Sequence, residues 1–276
     1  MRFGHQANSW GGVAGHPVGV TSIKDLYYLT PGDTLATLGE IADAGYEGVE
    51  LFDGNLAEFA DDLAVLRDGL EECGVALVGV YSGANLVFDD ILGEELWRVR
   101  RACGWAADLG AKHLVIGGGA QRSEPATGAD YDRLAAGLDQ VAAIAEGQGL
   151  VASFHPHLST IVESPEQIQR VFERTPIRFC PDTGHLQAGG GDPVELVRTY
   201  RDRIEYVHIK DLAADGGFVP LGQGVLDVGG VLRALEDTGF DGWVTVETDG
   251  WEGDPGEGAR ASRARLDELV GKEQRA

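Results

Sequence analysis

Four short apolar runs in the second half of the chain each end in groups that bind cations or move protons. They are Val151-Ala-Ser-Phe-His-Pro-His157 leading to Glu163, Phe179-Cys-Pro-Asp182 followed by His185, Tyr206-Val-His-Ile-Lys210, and Val244-Thr-Val-Glu247. A β-strand that ends in a carboxylate or imidazole places that side chain at the rim of its sheet. Four such strands, separated by helix-length segments, bring two or three carboxylates and an imidazole to one point. An oxygen-rich cluster with one imidazole suits a hard or borderline divalent cation better than a thiolate-loving one.

The elements that must position these groups alternate along the whole chain. Strands are expected at Phe3–Asn8, Gly48–Phe52, Ala76–Tyr81, His113–Ile116, Val151–His155, Phe179–Asp182, Tyr206–Ile209 and Trp243–Glu247. Helices are expected at Thr34–Ala44, Glu58–Cys73, Glu94–Leu109, Tyr131–Gln148, Pro165–Arg174, Pro193–Tyr200, Val231–Thr238 and Arg260–Val270. Eight strands, each followed by a helix, predict an α/β fold, a (β/α)8 TIM barrel in a single domain over 1–270 with a short tail at 271–276. Ser164-Pro165 and Asp192-Pro193 read as helix starts, with a capping oxygen before a proline. Gly45, Gly74, Gly110, Gly149 and Gly239 read as helix ends. Long strand-to-helix loops, above all Ser9–Asp33 and Gly117–Asp130, concentrate on one rim and mark it as the functional face.

Composition narrows the function. The chain has 276 residues with 45 acidic against 22 basic side chains, a formal charge of −23, which would repel a nucleic acid. No apolar stretch approaches the ~18 residues of a membrane span, and the N-terminus lacks a secretory pattern. Cys73, Cys103 and Cys180 have no metal-type spacing and read as buried free thiols, which fits a cytoplasmic protein. The expected partner is therefore a small molecule, with neither nucleic acid nor membrane involved and with a homo-oligomer left open.

Five motifs together resemble one superfamily. Gly45-Tyr-Glu-Gly-Val-Glu-Leu51, Asp182-Thr-Gly-His185, Val207-His-Ile-Lys-Asp211, Pro220-Leu-Gly-Gln-Gly224 and Gly242-Trp-Val-Thr-Val-Glu247 resemble the sugar phosphate isomerase/epimerase superfamily, the xylose-isomerase-like TIM barrels. His155-Pro-His157 with Glu163, Phe218-Val-Pro-Leu-Gly and the closing Glu247 are most similar to its inosose dehydratase and keto-glycoside-acting branch. The resemblance implies one divalent metal, Mn²⁺ (or Mg²⁺, Co²⁺), held by Glu, Asp, His and Glu from strands five to eight, and no nucleotide cofactor. Asp182, His208 and Glu247 match that pattern; on strand five the chain has Phe154-His155 instead, and the resemblance assigns the ligand role to Glu163.

The implied chemistry is removal of a proton α to a ketone, with the cation stabilising the resulting enediolate. Glu247 or Glu163 would serve as base, and His155 or His157 as the partner acid. Glu50, at the end of its strand, is expected to contact substrate or orient a ligand. His185 reads as a ligand neighbour or an acid/base, Lys210 as reaching a substrate oxygen or pairing with Asp211, and Trp10 as a wall of the pocket. His5 and His16 stand between pocket lining and packing, and His113 begins a strand at the opposite rim, a structural position. Ile116-Gly-Gly-Gly-Ala120 and Gly189-Gly-Gly191 lack a nucleotide-binding pattern and read as turns where backbones approach closely. Loop eight, Thr248–Glu257, has four acids and no Lys or Arg, which argues against a phosphate ester as substrate. The reading is thus a lyase or isomerase acting on an unphosphorylated keto-inositol, keto-sugar or 3-keto-glycoside by elimination. The alternative is a sugar isomerase or epimerase that returns the proton. More remote are an AP-endonuclease-like hydrolase and a non-catalytic subunit.

Overall fold

The expected barrel forms, and its register explains which side chains meet. The computed structural model describes residues 1–10, 27–30, 32–121 and 123–273, so His16 and most of the first loop lie outside the described residues. The strands are β1 (Arg2–Gln6), β2 (Gly48–Phe52), β3 (Ala76–Ala84), β4 (His113–Gly118), β5 (Val151–His155), β6 (Arg178–Phe179), β7 (Tyr206–Ile209), β8 (Asp211–Leu212), β9 (Phe218–Val219) and β10 (Trp243–Val246). Eight of them form one parallel sheet in the order β6-β5-β4-β3-β2-β1-β10-β7. Parallel bridges Phe179↔Ile204 and Asp182↔His208 link its two ends, helped by the His208 N–H donating to the Pro181 carbonyl at 2.9 Å. The remaining pair, β8 and β9, is an antiparallel ribbon inside the loop after β7.

The helices are α1 (Thr34–Asp43), α2 (Asp53–Ala57), α3 (Leu63–Cys73), α4 (Leu92–Asp108), α5 (Gly128–Glu146), α6 (Pro165–Phe172), α7 (Thr183–Ala188), α8 (Pro193–Thr199), α9 (Val228–Asp237) and α10 (Pro255–Glu273). The predicted caps are in place. Ser164 and Gln167 form a reciprocal capping box at the start of α6, and Asp192 Oδ1 accepts from the Val194 N–H at 2.9 Å. The helix-ending glycines adopt left-handed backbone, as at Gly45 (φ 90°) and Gly74 (φ 69°). Three expectations shift. The helix expected over Glu58–Cys73 is preceded by the short α2 and begins at Leu63, where Asp62 caps it. The loop after β6 contains α7. The C-terminal helix runs through Glu273, beyond the expected domain end.

Strand alternation sorts the buried residues into two cores. Val207 and Ile209 face the helices with most of the aliphatic side chains, while Tyr206 turns inward with Phe52, Val78, Tyr81, Val115, Cys180 and Trp243 to fill the barrel. His208 and Lys210 continue the inward row from Tyr206, which places two polar groups directly above an apolar plug. The glycines that end β4 permit this filling. A Cβ on Gly117 would be driven into the Tyr81 hydroxyl, and one on Gly189 into the Glu163 carbonyl, so both runs are sites of close approach.

Candidate active site

At the C-terminal mouth of the barrel the four stations converge, though not through every residue expected. Asp182, His208 and Glu247 offer ligating atoms that all lie within 4.8 Å of one another, and all three side chains are buried. Asp182 follows β6 and caps α7: its Oδ1 accepts from the His185 N–H at 3.0 Å, which turns Oδ2 toward the barrel axis. His208 Nε2 lies 3.0 Å from Glu50 Oε2, and its Nδ1 lies 2.9 Å from Glu247 Oε2 and 3.8 Å from Asp182 Oδ2. Glu247 is steadied by Asn8, whose Nδ2 donates to Oε1 at 3.0 Å.

Lys210 lies at the centre of the charges. Its ammonium is 3.1 Å from Asp182 Oδ2, 3.2 Å from Glu247 Oε2, 2.7 Å from Asp249 Oδ2 and 2.9 Å from His185 Nε2. The alternative pairing with Asp211 does not occur. Asp211 instead accepts backbone N–H bonds from Leu212, Gly222, Gly224 and Leu226 and so folds the loop around the ribbon. Burial disfavours the charge on Lys210, but Asp182, Asp249 and Glu247 overcome it and raise its pKa. Burial also opposes ionisation of Asp249 and Asp182, yet the neighbouring Lys210 holds both below the usual carboxylate range. For Glu247 burial prevails and the pKa rises. Burial likewise works against a charge on His208, but Cys180, Glu50 and Glu247 together hold it well above the ordinary imidazole value.

The other expected residues separate by depth. Glu50 is fully buried behind His208, with its Oε2 3.0 Å from the imidazole Nε2. His155 ends β5 with 1% of its surface exposed, and His157 is partly buried one turn of chain further out. His157 Nδ1 lies 2.7 Å from the Leu158 carbonyl, and its ring is tilted against His185 with centroids 3.8 Å apart. Burial drives the pKa of His155 well down and that of His157 to about 3, so both rings are neutral. Glu163 is not brought to this point: its carboxylate accepts from the Ser159 N–H and from Gln121 Nε2 at 3.5 Å, at the entrance to α6. Trp10 is no open wall either, since it is buried edge-on to His5 with its Nε1 donating to Glu40 Oε2 at 2.8 Å. His5 packs between Trp10 and Tyr46, and His113 lies against Tyr206 at the opposite rim.

Asp249 and Asn8 belong to the site and were not anticipated. Asp249 follows Glu247 by two positions, so a strand extended past β10 puts both on one side, a signal the sequence did contain. Asn8 Nδ2 also donates to Asp249 Oδ1 at 2.7 Å, a contact spanning 241 residues that no local pattern announces.

The donor set fits a divalent cation. Asp182 Oδ2, His208 Nδ1, Glu247 Oε2 and both nitrogens of His155 are buried without a hydrogen bond, although ion-pair distances link some of them. Lys210 faces three carboxylates, Asp182, Glu247 and Asp249, and His208 faces a fourth, Glu50, a carboxylate-rich setting that suits a further cation. Glu50 behind His208 is the carboxylate–histidine arrangement that holds a metal-ligating imidazole in one tautomer.

Residues 38–269 match the family model described as xylose isomerase-like TIM barrel, and the chain belongs to that family, within the sugar phosphate isomerase/epimerase superfamily. It is 30% identical over 246 residues to an inosose dehydratase of Geobacillus kaustophilus, covering 77% of this chain and 79% of the relative. An inosose dehydratase of Clostridium beijerinckii is 25% identical over 245 residues, covering 77% and 80%. Among solved structures, an L-ribulose 3-epimerase superposes with a TM-score of 0.77 at 20% identity, covering 100% of this chain and 96% of the other. The 3-keto-D-glucoside 4-epimerase of E. coli superposes at 0.73 with 18% identity, covering 98% and 99%, which speaks to the fold alone. No helix among the described residues is long and apolar enough to cross a membrane.

Proposed function

We propose that this chain is a divalent-cation-dependent lyase acting on a keto-inositol or a related unphosphorylated keto-sugar. It removes the proton α to the ketone and expels the β-hydroxyl as water. The observation that carries this reading is the convergence of the buried Asp182 Oδ2, His208 Nδ1 and Glu247 Oε2 at the mouth of the barrel. The inosose dehydratase relatives support the substrate class. A cation held by Asp182, His208 and Glu247 would supply Lewis-acid stabilisation of charge developing on the ketone oxygen.

The chain's own residues do the rest. Glu50 keeps His208 in place, and Asn8 fixes Glu247 and Asp249 relative to each other. Lys210 ties Asp182, Glu247, Asp249 and His185 together and keeps them aimed at the mouth. His157 moves the proton. Its Nδ1–H donates to the Leu158 carbonyl, an assignment made from that partner, so Nε2 is free to accept. The C–H electron pair becomes the new carbon–carbon double bond, the β C–O bond breaks, and the proton leaves with the departing oxygen as water.

Incubation in D₂O with Mn²⁺ or Co²⁺ and a panel of keto-inositols, ketohexoses and 3-keto-glycosides, followed by NMR, tests this. Loss of water from a keto-inositol is expected, slowed about 10²–10⁴-fold by His157→Ala. Deuterium uptake with an intact skeleton would favour the isomerase or epimerase alternative. No exchange with any substrate, together with an unimpaired Glu247→Gln variant, would sink the proton-abstraction reading.

A further inference from the structure

The ring of His155 is the most deeply buried imidazole of the three at β5 and α7, and neither of its nitrogens has a hydrogen-bond partner. Its neighbours are the faces and edges of Tyr81, His157, His185 and His208. A buried polar atom left unsatisfied is costly, so a ring with two of them is not placed there for packing. His155 Nε2 lies 4.0 Å from Asp182 Oδ2, the atom already turned toward Lys210 and His208. One of its nitrogens also lies within 4.8 Å of a ligating atom of His208.

Glu163 makes its contacts at the entrance to α6, through Oε1 and its backbone, and none with Asp182, His208 or Glu247. Its carboxylate takes the Ser159 N–H, its own N–H donates to Gln167 Oε1 at 2.8 Å, and its carbonyl packs on Gly189. Building on the cation site of the function proposed above, we infer that His155, not Glu163, is the ligand supplied by β5. The donor set is then two imidazoles with two carboxylates, His155, Asp182, His208 and Glu247. A second imidazole in place of a carboxylate moves the preference away from Mg²⁺ and toward borderline ions such as Fe²⁺, Co²⁺ or Zn²⁺.

Metal content after dialysis and the visible absorption spectrum of the Co²⁺-loaded full-length protein read this directly, without reference to turnover. His155→Ala is expected to weaken Co²⁺ binding on the order of 100-fold or more and to change the spectrum, whereas Glu163→Gln leaves both unchanged. His155→Glu, a second variant that keeps a ligand on β5, is expected to bind metal and to shift the preference from Co²⁺ and Zn²⁺ toward Mn²⁺. Binding unchanged in His155→Ala but lost in Asp182→Asn would overturn the assignment and leave the cation site standing. Binding lost in Glu163→Gln would overturn it in favour of the carboxylate. A wild-type protein that takes up no metal would overturn both the assignment and the site.

Discussion

The two halves of the barrel contribute differently to its mouth. From β5 onward, the strand ends deliver His155, Asp182, His208, Lys210 and Glu247, the groups that face one another across the axis. The half from β1 to β4 delivers none of these, yet it holds them. Glu50 from β2 sits behind His208, Asn8 after β1 spans Glu247 and Asp249, and Tyr81 from β3 packs on His155. The first half also clears space, with Gly117 letting the Tyr81 ring fill the interior. On the proposed function, one half would supply the chemistry and the other fix its geometry, so substitutions in the two should fail in different ways.

The largest effect belongs to the second half. Asp182→Asn should weaken divalent-cation binding by more than about 100-fold and abolish turnover, measurable by metal titration of the dialysed protein. Glu50→Gln should leave the ligands present but poorly oriented, lowering metal affinity about 10–100-fold with circular dichroism unchanged. Equal losses in the two variants would erase the distinction between ligating and orienting halves. Asn8→Ala, which frees Glu247 Oε1 and Asp249 Oδ1, should cost about 10-fold in kcat/KM, since a hydrogen bond to a charged group contributes about 1.5–3 kcal/mol and water replaces part of it. Gly117→Ala should act on stability instead, destabilising by about 1–3 kcal/mol in denaturant unfolding because the added methyl displaces Tyr81.

The same contrast can be read through pH. Asp53, buried at the start of α2, accepts from the Tyr28 N–H at 2.8 Å and the Ser82 hydroxyl at 2.6 Å, and burial pushes its pKa up to about 7. The folded state therefore prefers its protonated form. Its contribution is full below the unfolded value near pH 4 and is lost as pH rises through about 7. Asp53→Asn should gain stability relative to the wild type as pH rises from about 4 to 7, and a difference that stays flat across that range would contradict the assignment.

The fold was legible because local signals agreed along the chain. Buried strands read as apolar runs, Ser164 and Asp192 announced their helices, and the glycines that end helices took the backbone only glycine adopts freely. Short elements escaped. The helices α2 and α7 have 5 and 6 residues, too few to show a period, and the β8–β9 ribbon is organised by Asp211 rather than by strand-like residues. Asp182, His208 and Glu247 stand out in the sequence because each lies in or shortly after an apolar run, and the structure brings their ligating atoms within 4.8 Å of one another. Glu163 was drawn in by the family pattern, but Gln167 and Ser159 hold it at the entrance to α6. The roles of Glu50 and Lys210 depended on which partner each side chain reached, and Trp10 turned to Glu40; these are tertiary choices that spacing does not reveal.

On the proposed function, Asp182, His208 and Glu247 bind a divalent cation in the folded protein. Thermal unfolding of chelator-treated protein, with and without Mn²⁺ or Co²⁺, tests it most directly. Binding to the native state alone at about 100 times Kd contributes about 2.7 kcal/mol. For a chain of this size a clear rise of several degrees in Tm is therefore expected for the wild type, and none for an Asp182→Asn, Glu247→Gln double variant. An identical rise in both proteins, or no rise in either, would contradict the account.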